Sequence, residues 1–252
     1  MMEMTLDLAI FIFAAQFIGY IVKGLAGFGN PLIANPIMAM RIDNLQITPG
    51  VLPVDMFVNI YISVKNRKSF ITRLAIPIAV CIMIGVIPGT LFLKIGSQWV
   101  IKALLGVFII GLGVEMLTRK ENVDPNRKNH PVVMALISVL SGFLSGLFGI
   151  NMLFLAYLNR YVSNRHQFRA NVCFIFCFEN VFRLIMYLIN GMLNTFTLWI
   201  TVLSVPPAAA LGLWIGGRID LKLSEKKANL IMNLVFILGG LSILVKALIF
   251  KA

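Results

Sequence analysis

The chain has 252 residues, of which 59% are hydrophobic and only 13% are charged. Soluble domains carry about 25% charged residues, so one water-soluble core is excluded and an integral membrane protein is the class that fits. The formal net charge of +12 would point to nucleic acid in a soluble protein. Here most Lys and Arg fall in short joints between apolar runs, where basic residues set membrane orientation, and no nucleic-acid-binding motif is present.

The first apolar run covers Leu8 to Val22. The residues before it lack the positive n-region of a secretory signal, so a retained first helix is expected. Then comes Lys23-Gly24-Leu25-Ala26-Gly27-Phe28-Gly29-Asn30-Pro31. Three glycines and a proline in that stretch predict a helix break, because proline lacks an N–H and each glycine costs about 1 kcal/mol against alanine. Both flanks are too apolar for a water-exposed loop. A break inside a membrane is tolerated only where the freed backbone is buried in protein or lines a cavity. The following run, Leu32 to Met40, is about 15 Å of helix and cannot cross about 30 Å of hydrocarbon alone.

Spans are then predicted over Ile47 to Val64, Leu74 to Leu93 and Val100 to Leu117. Arg119 to His130 is the longest polar stretch and reads as a linker. The second half opens with Val132 to Ile150, a weaker break at Phe148-Gly149-Ile150-Asn151, and Met152 to Leu158. Spans follow over Val172 to Ile189, Phe196 to Gly217 and Leu230 to Phe250. The halves match: Phe28-Gly29 with Phe148-Gly149, Asp55 with Glu179, and Gly85, Gly89 and Gly113 with Gly212, Gly216 and Gly240.

The basic joints at 65–73, 119–130, 160–169 and 218–227 are assigned to the cytoplasm, which leaves the N-terminus outside. Each half is then a broken helical hairpin plus three crossings. An odd number of crossings turns the second half upside down. The predicted fold is an all-α integral membrane protein with two inverted-topology repeats, 1–118 and 131–252, joined by a cytoplasmic linker at 119–130. That is the layout of secondary transporters, with broken helices meeting near the midplane.

A fresh helix after Pro31 presents unpaired N–H groups and the positive end of its dipole. With Gly27, Phe28 and Gly29 allowing close approach, Asn30 as a donor and Lys23 as a cation, this is a candidate anion site. Gly149 and Asn151 would contribute from the second break. The competing reading is tight helix crossing, since small residues also serve packing. Lys23 has two readings, a ligand or a lysine that snorkels to the interface. Asp55 and Glu179 are proton-coupling candidates, because desolvation raises a carboxyl pKa. Neutralisation competes: Glu179 and Arg183 stand at i,i+4 spacing, as do Asp55 and Asn59. No catalytic motif, P-loop, cofactor motif or metal-ligand cluster is present. Cys81, Cys173 and Cys177 form no CxxC pair, so no disulfide is expected.

The Gly24-Leu25-Ala26-Gly27-Phe28-Gly29-Asn30-Pro31-Leu32-Ile33 element near the start, with a second copy at Ser141 to Asn151 after a polar linker, resembles the sulfite exporter TauE/SafE family. The similarity covers Leu8 to Leu244. It implies a multi-pass carrier in the bacterial inner membrane for sulfite, organosulfonates or related small anions, coupled to an ion gradient. The second copy is poorer in glycine than the family pattern, with Ile150-Asn151 in place of smaller residues. The expected partners are a small anion and the lipid bilayer, and a homodimer is compatible with this layout. Two other classes remain: a non-transporting assembly or regulatory subunit, and a passive anion channel.

Overall fold

The computed structural model describes residues 5–26, 29–65, 71–118, 130–158 and 165–220, and all regular structure among them is helical. The helices are α1 (Leu6–Ala26), α2 (Asn30–Ala39), α3 (Asn44–Lys65), α4 (Thr72–Ile95) and α5 (Gln98–Thr118). They continue with α6 (Pro131–Phe148), α7 (Met152–Leu158), α8 (Arg165–Ile189) and α9 (Thr195–Ser204). A π-helical turn, Val205–Ala209, joins α9 to α10 (Ala210–Asp220) and contains Pro206 and Pro207. A proline pair removes two backbone donors, and a widened turn at that point accommodates the loss. The expected span over Leu230 to Phe250 and most of the 119–130 linker lie outside the described residues.

Among the described residues, six segments are long and apolar enough to cross a membrane: Leu6–Gly24, Asn44–Val64, Arg73–Ile95, Pro131–Phe148, Ala170–Ile189 and Thr195–Ile219. The protein is therefore a multi-pass membrane protein. Along α8, Phe178, Val181, Ile185 and Leu188 are exposed while Glu179, Asn180, Arg183 and Tyr187 are buried. A helix that turns its apolar face outward and its charged face inward is built for lipid, since charge facing hydrocarbon is costly.

The chain divides into two compact units, and each draws on early and late sequence. The first comprises Met1–Val51, Ile95–Lys120 and Leu193–Ala252; the second comprises Leu52–Lys94 and Glu121–Met192. In the first unit α1 packs on α10. A Cβ at Gly212 would lie 2.9 Å from the Phe17 carbonyl oxygen and 3.1 Å from the Ile21 nitrogen, and one at Gly216 would strike the Ile21 carbonyl oxygen and approach the Gly24 Cα at 2.9 Å. In the second unit α4 packs on α6. A Cβ at Gly85 would strike the Val139 carbonyl oxygen and lie 2.8 Å from the Phe143 nitrogen, and one at Gly89 would strike the Phe143 carbonyl oxygen and lie 3.1 Å from the Gly146 Cα.

The two interfaces use the same atoms in the same order. Gly212 and Gly216 follow Gly85 and Gly89 by 127 residues, and Val139, Phe143 and Gly146 follow Phe17, Ile21 and Gly24 by 122. Small residues at these positions let the backbones approach within contact distance, which is how helices associate where water supplies no drive.

The sequence reading ends the first helix at Val22, yet α1 continues through Lys23 and Gly24 to Ala26. Packing explains the extension. Gly24 lies against the Leu213 carbonyl and Gly216, so its missing side chain serves a helix crossing rather than a helix stop. α1 ends at Ala26 and α2 begins at Asn30, where the N-cap Gly29 has φ 103°. The second interruption is closed by Gly149 at φ 73°. Both values lie in the left-handed region that glycine enters without a Cβ penalty.

Candidate functional site

At the first break, Lys23 is 2% exposed, with its ammonium 5.9 Å from the centroid of the Tyr20 ring. It lies three residues before the end of α1. Asn30, at the start of α2, is fully buried. Its Nδ2 donates to Gln16 Oε1 at 3.1 Å, and Gln16 Nε2 donates to Met38 Sδ at 3.6 Å. A Cβ at Gly19 would collide with the Asn30 Oδ1, so Gly19 is what lets the amide seat against α1. Gly27 and Phe28 lie outside the described residues.

At the second break, the Gly149 N–H donates to the Ser145 carbonyl at 2.8 Å and caps α6. Asn151 is buried, and its Oδ1 accepts from Ser141 Oγ at 3.4 Å. Ser141 Oγ in turn accepts from the Phe154 N–H at 3.4 Å, within the first turn of α7. In the 122-residue register Ser141 stands where Gly19 stands. Asn30 and Asn151, 121 residues apart and so one position off that register, pack beside Gly19 and Ser141 respectively.

The same register places Ser145 opposite Lys23, and there the second unit carries a charged cluster. Arg183 Nη1 donates to Ser145 Oγ at 2.7 Å, to the Ser145 carbonyl at 3.1 Å and to Glu179 Oε1 at 2.9 Å. Ser145 Oγ donates to Glu179 Oε1 at 2.6 Å. Glu179 and Arg183 are 1% and 3% exposed. The i,i+4 pairing expected from the sequence is thus made, with Ser145 joining it from α6. Asp55 on α3, 4% exposed, adds its charge to the field at Arg183. Asn59, one turn further along α3, is also buried.

Of the sequence candidates, the structure brings Glu179, Arg183 and Asp55 into one neighbourhood. It seats Lys23 and Asn30 beside the first break, and Gly149 and Asn151 at the second. Sequence reasoning missed Gln16, Gly19, Ser141, Ser145 and Asn180. Serines one turn apart on α6 were the available signal. Among the described residues, no group of three or more His, Cys, Asp or Glu could hold a metal ion.

The model of the family described as sulfite exporter TauE/SafE matches residues 11–243, nearly the whole chain. The chain belongs to the TauE/SafE family. No curated protein and no solved structure matches it. TauE/SafE membership agrees with the multi-pass helical structure and points to membrane export of sulfite or a related anion rather than to an enzyme.

Proposed function

We propose that this TauE/SafE chain is a secondary active transporter that moves a small anion across the bacterial inner membrane by alternating access. The substrate class is sulfite, an organosulfonate, or a related oxyanion or carboxylate. The observation that carries this reading is the first break itself. A buried cation, Lys23 near the end of α1, and a buried amide, Asn30 at the start of α2, stand on either side of the break. The positive end of a helix dipole and a nearby cation favour an anion. Gly27, Phe28 and Gly29 would let it approach the backbone, and Gly149 and Asn151 would serve it from the second break.

Sequences 1–118 and 131–252 are read as inverted-topology repeats. The matched glycine registers of α1 with α10 and α4 with α6 support the repeat, and the odd number of expected crossings supports the inversion. Glu179 and Asp55 are assigned to proton coupling. The basic joints are placed in the cytoplasm and the N-terminus outside.

Purified protein in proteoliposomes, supplied with radiolabelled sulfite or sulfoacetate, is expected to give saturable flux with counterflow. Absence of saturable flux across a panel of sulfur oxyanions and small carboxylates would refute the transporter reading. Non-saturating flux without counterflow would assign a channel instead.

A further inference from the structure

Arg183 is only partly engaged by the protein. One guanidinium nitrogen, Nη1, holds Ser145 and Glu179, whereas Nε is buried and meets no acceptor among the described residues. Asn180 stands three residues earlier on α8 and is 4% exposed, and its Nδ2 is likewise buried without an acceptor. Residues three apart on a helix are neighbours on one face. Two donors, one of them charged, therefore share a buried stripe of α8. Leaving such groups unpaired is costly, and a planar guanidinium edge beside an amide matches an oxyanion.

The charged and titratable groups acting on Arg183 are Glu179 and Tyr187 on α8 itself and Asp55 on α3, while α6 contributes the neutral hydroxyl of Ser145. Glu179, Asp55 and Arg183 are all buried. An arriving anion would add a negative charge, in a low dielectric, to a site that already holds the Glu179 carboxylate and lies in the field of Asp55. Protonation of a carboxylate is the smallest change that restores balance. Glu179 is the carboxylate that Arg183 Nη1 and the Ser145 hydroxyl hold ionised, and an anion that competes for the guanidinium weakens that hold and favours the protonated form.

We propose that Arg183 Nε and Asn180 Nδ2 form a binding site for a small oxyanion, and that occupation of this site draws one proton from solution onto Glu179. This deepens the transporter reading and rests on it. It gives coupling a place: the anion and the proton meet on adjacent turns of one helix. Neither Asn180 nor the Nε edge of Arg183 belongs to the helix breaks, so this site is made of other residues than the first-break contacts.

The test uses the full chain in lipid nanodiscs, in sodium-free buffer, with methanesulfonate and sulfate as probes because neither changes charge between about pH 5 and about pH 8. Titration calorimetry in buffers of different ionisation enthalpy counts protons. Wild-type protein is expected to take up about one proton per anion and to show the infrared carbonyl band of a protonated carboxyl group on binding. Asn180→Leu is expected to bind about tenfold more weakly with the proton count unchanged. Glu179→Gln is expected to bind with no proton uptake. Elution volume and thermal transition identify folded variants, and the wild-type proton count and infrared band stand without any variant. Binding of either probe with no proton uptake, or unchanged affinity in folded Asn180→Leu, overturns this site while leaving the transporter reading intact. Wild-type protein that binds neither probe and transports nothing overturns both.

Discussion

Lys23 and Ser145 occupy the same station of the matched register but differ in chemistry. In the first unit the cation is carried by the broken helix itself. In the second, a serine takes that place and Arg183 reaches it from α8 with its carboxylate partner. Lys23 is fixed in a buried position, whereas Lys65 terminates α3. Lys23→Met is therefore expected to weaken sulfite binding by about tenfold, or about 1.4 kcal/mol, and Lys65→Met to leave it near wild type. Equal effects in a binding titration would make Lys23 an anchor. The Glu179–Arg183 spacing was legible in the chain because four residues make one helical turn. Asn180 and Ser145 were not, since an amide or hydroxyl inside an apolar span reads as packing until the opposing helix is known.

At the scale of helices, the glycines of α4 and α10 act through what they exclude. Adding a methyl group at Gly85 or Gly212 forces it against backbone of α6 or α1, and backbone cannot swing aside as a side chain tip does. Gly85→Ala and Gly212→Ala are each expected to cost about 1–3 kcal/mol, read as a lower thermal transition in detergent. Gly111→Ala meets nothing within 4 Å on α5 and is expected to be neutral or to gain about 0.5–1 kcal/mol. Similar losses at all three positions would contradict the packing role. The spacing of these glycines was visible in the sequence, and their repetition pointed to related halves. Their partners were not visible, because α1 meets a helix near the other end of the described chain. The same hidden partner explains why α1 passes through Gly24, where local propensity alone predicts a stop. The two breaks were legible because left-handed backbone at Gly29 and Gly149 demands glycine whatever the tertiary context.

For the whole molecule, six apolar segments among the described residues and the TauE/SafE match agree on a multi-pass chain, and its proposed orientation rests on the basic joints. Ser97 is exposed in the short joint between α4 and α5, on the side expected to face outward. In a chain whose Cys81, Cys173 and Cys177 are replaced by alanine, Ser97→Cys is expected to react with an impermeant maleimide in intact cells. Arg67→Cys, in a basic joint, is expected to react only after the membrane is opened. The reverse pattern would invert the orientation.

The pairing of α1 with α10 also constrains biogenesis. About 180 residues separate the two helices, and a ribosome adding about 5–20 residues per second needs on the order of ten to forty seconds to make them. Throughout that interval the glycine face of α1 has no α10 to receive it, so the newborn segment must wait in the bilayer, shielded by lipid or by the insertion machinery.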